Sequence, residues 1–154
     1  MEINALKQPL NLHENAKSKK VFLQFEKLLI ELRKKELPDE TVTAINKNVD
    51  EINSIIDSGK KYRNRIRRKQ TRMIQTLEKE LKLVPKKYYR NLWMAIGMAA
   101  FGIPLGVAFG VSLDNMAFIG IGLPIGMVIG VGVGAAMDKK ASKEGRQLDI
   151  EIEN

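Results

Sequence analysis

Gly102-Ile103-Pro104-Leu105-Gly106-Val107-Ala108-Phe109-Gly110 and, further on, Gly122-Leu123-Pro124-Ile125-Gly126-Met127-Val128-Ile129-Gly130 decide how this chain folds. Each copy spaces its glycines four apart, and the second continues the row to Gly134. Residues four apart lie on one face of a helix, so each segment presents a groove of bare backbone. In water each helical glycine costs about 1 kcal/mol relative to alanine. In a bilayer the same groove lets a second helix approach closely, and small-residue faces drive helix association there. The surroundings favour the bilayer. Ten of the twelve glycines fall between Gly97 and Gly134, in a tract without lysine, arginine, glutamate or histidine.

Around the two copies, Leu92 to Met137 is apolar except at Asp114-Asn115. A span needs about 20 apolar residues to cross the hydrocarbon. Leu92–Leu113 and Met116–Met137 supply 22 each. Two spans, 92–113 and 116–137, and a tight polar turn fit without remainder. The competing reading, a buried helical hairpin in a soluble protein, is disfavoured because the polar half is too small to coat two such helices. The chain is therefore expected to be an all-α membrane protein: a basic helical domain over 1–88, a transmembrane hairpin over 89–138, and a tail over 139–154. Lys82, Lys86, Lys87 and Arg90 precede the first span, and Lys139, Lys140, Lys143 and Arg146 follow the second, while the turn carries no basic residue. By the positive-inside rule both termini are expected to be cytoplasmic. Tyr88, Tyr89 and Trp93, with Lys86, Lys87, Arg90, Lys139 and Lys140, read as anchors at the inner interface. The start of the chain opens with an acid and lacks an apolar run, so it does not read as a secretory signal peptide.

The first 90 residues are of another kind, with 22 basic and 12 acidic residues. Apolar positions at helical spacing predict helices over 17–36, 38–58 and 60–84. The first places Val21, Phe22, Phe25, Leu28, Leu29 and Leu32 on one face. The second forms a coiled-coil-like seam of Val42, Ile45, Val49, Ile52 and Ile56, with Pro38 near its first turn and Ser58-Gly59 closing it. The third aligns Tyr62, Ile66, Met73, Leu77, Leu81 and Val84. Short turns between amphipathic helices predict an antiparallel bundle or coiled-coil hairpin. Lys60, Lys61, Arg63, Arg65, Arg67, Arg68, Lys69 and Arg72 crowd into thirteen residues. A solvated face that enforces orientation is the plainest reading. Contact with anionic lipid is the next, and phosphate neutralisation on a nucleic acid is the disfavoured one.

Chemistry is conspicuous by its exclusions. Without cysteine there are no disulfides, thiolate metal sites or cysteine nucleophiles. His13 is the one histidine and reads as a surface residue. The spans hold no ionisable group of the kind that proton relays display. The glycine tract lacks the Lys-Ser/Thr of a phosphate loop. No metal, no cofactor and no enzymatic activity are expected.

Pro104 and Pro124 sit two residues after the first glycine of each copy. Each removes a helical hydrogen bond, to the Ala100 and Gly120 carbonyls respectively. A kink at each is the favoured expectation; a helix starting at the proline is the other. The two glycine faces, Gly102/Gly106/Gly110 and Gly122/Gly126/Gly130/Gly134, meet either within one hairpin or between copies. Gly120 and Gly132, off the main row, tilt the expectation toward a homo-oligomer. The closing Gln147-Leu-Asp-Ile-Glu-Ile-Glu-Asn alternates like a strand, but by itself reads as a frayed tail.

Gly120 to Gly130, Gly134-Ala-Ala-Met-Asp-Lys-Lys-Ala and Glu144-Gly-Arg-Gln-Leu resemble small bacterial membrane proteins of the glycine-zipper type. The resemblance covers residues 90–148 and leaves the basic half unmatched. It implies a two-span hairpin in a bacterial inner membrane, commonly without an assigned activity. The expected function is a self-associating membrane anchor or scaffold that carries a cytoplasmic helical domain. The alternative is an oligomeric, holin-like pore or membrane-disrupting effector controlled by that domain.

Overall fold

A computed structural model describes residues 1–56 and 59–153. It divides into two compact units. The first comprises residues 1–83 together with 148 onward, and the second residues 84–147.

The first unit holds helices α1 (Ala16–Arg33), α2 (Asp39–Asn53) and α3 (Lys60–Leu81). Asn15 starts α1, its side-chain oxygen accepting the Ser18 N–H at 3.1 Å. All six expected apolar positions of α1 are buried, as are Val42, Ile45, Val49 and Ile52 of α2. Helix α3 packs against both partners and contributes Tyr62, Ile66, Met73, Ile74 and Leu77. Two helices stop short of the expected ends. Helix α1 ends at Arg33 rather than residue 36. A residue before proline is driven out of the helical region, so Val84 is extended ahead of Pro85 and a helix cannot run through residue 84. Helix α3 ends at Leu81, with Lys82 taking a left-handed φ of 55° to close it. Val84 is buried, but in a strand, β1 (Val84–Lys86).

The seam of α2 is also shorter than its spacing suggests. The helix ends at Asn53, and Ile56 is 70% exposed beyond it. Gly59 does not close α2 but directly precedes α3, while Ser58 lies outside the described residues. An extended arm ahead of α1 runs along α2. Asn46 accepts the Asn4 N–H at 2.7 Å and donates to the Glu2 carbonyl at 2.9 Å. Asn53 repeats the bracket, accepting from Lys7 at 2.7 Å and donating to the Ala5 carbonyl at 3.0 Å. The side chain of Ile3 is buried and fixes the arm.

The expectation of a frayed tail is overturned. Gln147–Glu151 forms strand β2, whose alternate residues Leu148 and Ile150 are buried in the first unit. Burial of two aliphatic side chains offsets much of the cost of ordering so short a segment. Polar contacts with α1 accompany it. The Asp149 N–H donates to Glu31 at 3.2 Å, and Glu153 pairs with Lys20 at 2.6 Å.

The second unit is a hairpin of two long helices, α4 (Tyr88–Ser112) and α5 (Met116–Lys143). Both are long and apolar enough to span a membrane. Asp114, at a left-handed φ of 47°, and Asn115 make the turn, and the Asn115 side chain accepts the Ala117 N–H at 3.0 Å. At the other end the Val84 N–H donates to the Arg146 carbonyl at 3.1 Å.

Candidate functional site

The seam between α4 and α5 is built almost wholly from glycine. Gly102, Gly106, Gly122, Gly126, Gly130 and Gly134 are all buried. A Cβ built on Gly122 would meet backbone atoms of Gly102 and Gly106, and one on Gly126 those of Gly97 and Gly102. Gly130 lies against the backbone of Trp93 and Met94, and Gly134 against that of Tyr89 and Arg90. The two rows thus face each other within one hairpin. Gly110 closes the series more loosely, 3.2 Å from the Ile119 side chain and 3.4 Å from Met116 sulfur by the same measure. Gly120 and Gly132, off the row, meet nothing within 4 Å.

Gly97 belongs to the seam although it stands five residues before Gly102, out of step with a spacing of four. The reason is local. Residues Met98–Gly102 form a π-helical turn, in which the Ile103 N–H reaches back five residues to the Met98 carbonyl. The wider turn absorbs one extra residue and keeps Tyr89, Trp93 and Gly97 in line with Gly102, Gly106 and Gly110. It also sits where Pro104 would leave carbonyl groups without their usual donors. The helix accommodates Pro104 by this change of register, and Pro124 lies inside α5.

A further residue completes the row. Asp138 follows Gly134 by four residues and is 9% exposed. Its carboxylate accepts the N–H of Tyr89 at 3.1 Å and of Arg90 at 3.0 Å. Those are two of the donors that the first turn of α4 leaves without a helical partner. A lone acid at the end of an apolar tract, in phase with the glycines, is the signal that marks it. Beside it Tyr89 is buried with Val84 and Ala141, flanked by Tyr88, Trp93 and Met137. Tyr88 and Tyr89 meet edge to face with centroids 5.2 Å apart. Tyr89 is therefore a packing residue of the hairpin base.

Of the basic anchors, Lys86, Lys87, Arg90 and Lys139 converge on one cleft of about 310 Å³. Lys140 pairs instead with Glu144 at 4.0 Å.

The basic cluster of α3 separates into distinct roles. Arg63 donates to the buried Ser18 hydroxyl at 3.3 Å. Lys61, Arg65, Arg68, Lys69 and Arg72 line a cleft of about 620 Å³ with Glu51 of α2. Lys69, at 2.5 Å, and Arg65, at 3.9 Å, flank Glu51 and hold its carboxyl below the usual carboxylate range. Lys60 and Arg67 are exposed outside that cleft. Behind the charged face, Tyr62 is 1% exposed and burial pushes its phenol well up. Among the described residues, its hydroxyl and the Gln70 amide nitrogen have no hydrogen-bond partner. No group of three or more acids or histidines among the described residues is placed to hold a metal ion.

No family model, curated protein or solved structure matches the chain.

Proposed function

We propose that this chain is an integral membrane anchor of a bacterial inner membrane, in which a glycine-zipper hairpin holds a basic helical domain at the cytoplasmic face. The observation that carries the reading is the distribution of apolar surface. The hairpin buries its glycines and leaves its bulky side chains outside. Within the most apolar window of each helix only 22% and 17% is buried. Ile103, Val107, Val111, Leu123 and Val128 are all exposed. A soluble protein rarely leaves so much contiguous apolar surface uncovered, whereas lipid covers it at no cost.

Topology supports the same reading. Residues 83 and 148, on either side of the hairpin, belong to one compact unit. A chain that leaves that unit and returns to it must cross a membrane an even number of times. The flanking lysines and arginines then favour the cytoplasmic side. The role in this reading is structural: a scaffold that presents the basic unit, with anionic lipid as the partner of the α3 cluster. Because each glycine row is filled by the other, self-association falls to the outer faces, where Gly120 is open.

Membrane extraction with alkaline carbonate tests the anchor. The chain is expected to stay in the pellet, and release into the supernatant would refute the reading. Membrane potential in an overexpressing bacterial host separates the anchor from a pore. No change is expected; depolarisation that is lost on Gly126→Leu would replace the scaffold with the pore.

A further inference from the structure

The cleft at the base of the hairpin is built for an acceptor. Lys86 and Lys87 come from the chain entering α4, Arg90 from its first turn, and Lys139 and Ser142 from the last turns of α5; Gln147 closes the cleft. Lysine and arginine carry only donors, and the hydroxyl and amide can donate as well. The one carboxylate in the lining, Asp138, already takes the Tyr89 and Arg90 backbone N–H groups on its two oxygens. Against that single charge stand the four cations of the lining, Lys86, Lys87, Arg90 and Lys139. Arg90 and Lys139 face the cleft from the two helices.

Position narrows the ligand. The cleft lies where the apolar tract begins, at Leu92, and ends, at Met137. In a membrane-spanning hairpin that is the depth of the lipid phosphates. One face of α5 leads from the cleft into the apolar region: Ser142, Lys139 and Ala135 are followed on the same side by Gly132. A Cβ added at Gly132 would meet nothing within 4 Å, and Val128 beyond it is 72% exposed. The missing side chain leaves a shallow furrow of the kind an acyl chain fills.

We propose that this cleft binds one anionic phospholipid, with its phosphate between Arg90 and Lys139 and an acyl chain along the furrow at Gly132. Basic pockets between spans at the cytoplasmic side suit such headgroups. The inference rests on the membrane-anchor reading above.

Native mass spectrometry of the full chain, released from mild detergent with added lipid, tests it. Phosphatidylglycerol and phosphatidylcholine with identical acyl chains are compared, with glycerol phosphate and inorganic phosphate as soluble competitors. The expected result is a one-to-one phosphatidylglycerol adduct that survives activation under which phosphatidylcholine is lost. Arg90→Gln with Lys139→Gln should weaken it at least about tenfold. Lys140→Gln, outside the cleft, should leave it unchanged. Arg90→Gln keeps the backbone N–H that Asp138 accepts, so the hairpin base is retained; far-ultraviolet circular dichroism checks this. Gly132→Leu should weaken the lipid adduct without adding or removing a charge. Equal retention of the two lipids, or an unchanged adduct in the double variant, would overturn the proposal. So would full displacement by millimolar inorganic or glycerol phosphate, which would make the cleft a small-anion site. A chain that stays in carbonate-washed membranes yet shows no lipid preference refutes this inference alone. A chain that is washed out refutes the anchor as well.

Discussion

Alanine substitution along the hairpin turns its packing into a graded prediction. A Cβ on Gly122 lies 2.6 Å from the Gly106 Cα and nearer still to other backbone atoms, whereas ordinary contact begins at 3.4 Å. The helices must therefore part by at least about 0.8 Å, because backbone cannot rotate out of the way as a side chain can. A gap of that size forfeits roughly a quarter to a half of each dispersion contact along the face. Overpacking of this kind costs about 1–3 kcal/mol, or roughly a factor of 5 to 150 in the folding equilibrium. On Gly102 the nearest atoms are 3.1 Å away, so about 0.3 Å of movement suffices and the effect should be small. On Gly120 or Gly132 the methyl meets open space, and the better helix propensity of alanine should stabilise by up to about 1 kcal/mol. The assay is unfolding of the full chain in mixed micelles of increasing sodium dodecyl sulfate. Trp93 is the only tryptophan and its backbone touches Gly130, so its fluorescence reports on the seam. The expected order of stability is Gly120→Ala and Gly132→Ala above the native chain, Gly102→Ala near it, and Gly122→Ala and Gly126→Ala below. If Gly122→Ala and Gly120→Ala behave alike, the facing of the two rows is wrong.

Asp138→Ala should destabilise the hairpin by about 1–2 kcal/mol in the same assay, because two N–H groups of the first turn of α4 lose their acceptor; Asp138→Asn should recover part of it. Tyr62→Phe removes a buried hydroxyl without a described partner, so thermal unfolding should show the chain unchanged or stabilised by up to about 1 kcal/mol. A loss above that range would reveal a partner for the hydroxyl. The first unit should also be acid-sensitive. Lys34 holds the Glu31 carboxyl low, and Lys69 with Arg65 does the same for Glu51. Lowered folded values mean that this stability is present above the ordinary carboxylate value of 4.5 and is lost as pH falls through the folded values. The melting temperature should drop between pH 5 and about pH 3, and Glu51→Gln should make that drop smaller; an equal drop would refute the assignment.

Helical faces were readable because burial follows a period that the α-helix sets. Phe22, Phe25, Leu28, Leu29 and Leu32 needed only that ruler, and so did the rows from Gly102 and Gly122. Positions where the backbone leaves the ruler were not readable. Gly97 looks out of phase until a π-helical turn restores it, and Ile56 looks in phase although α2 has already ended. The break at Leu37-Pro38 follows from the chemistry, whereas apolar spacing alone carries α3 through Val84, which Pro85 holds out of the helix. Asp138 was visible as an isolated acid, but its partners are backbone groups, which carry no signature in side-chain identity. The pairing of Leu148 and Ile150 with the first unit depends on contacts more than 60 residues away, beyond the reach of local pattern.

The split composition of the first unit has a consequence for biosynthesis. Its core needs Leu148 and Ile150, which are translated only after the whole hairpin. At roughly 5–20 residues per second, the 65 residues from Leu83 to Leu148 take about 3–13 s. Through that interval the seat beside α1 stands uncovered, and β2 reaches it only once both helices of the hairpin have been made. Completion of the first unit thus reports on completion of the hairpin. A chain arrested before β2 carries an open core that proteases and chaperones can recognise.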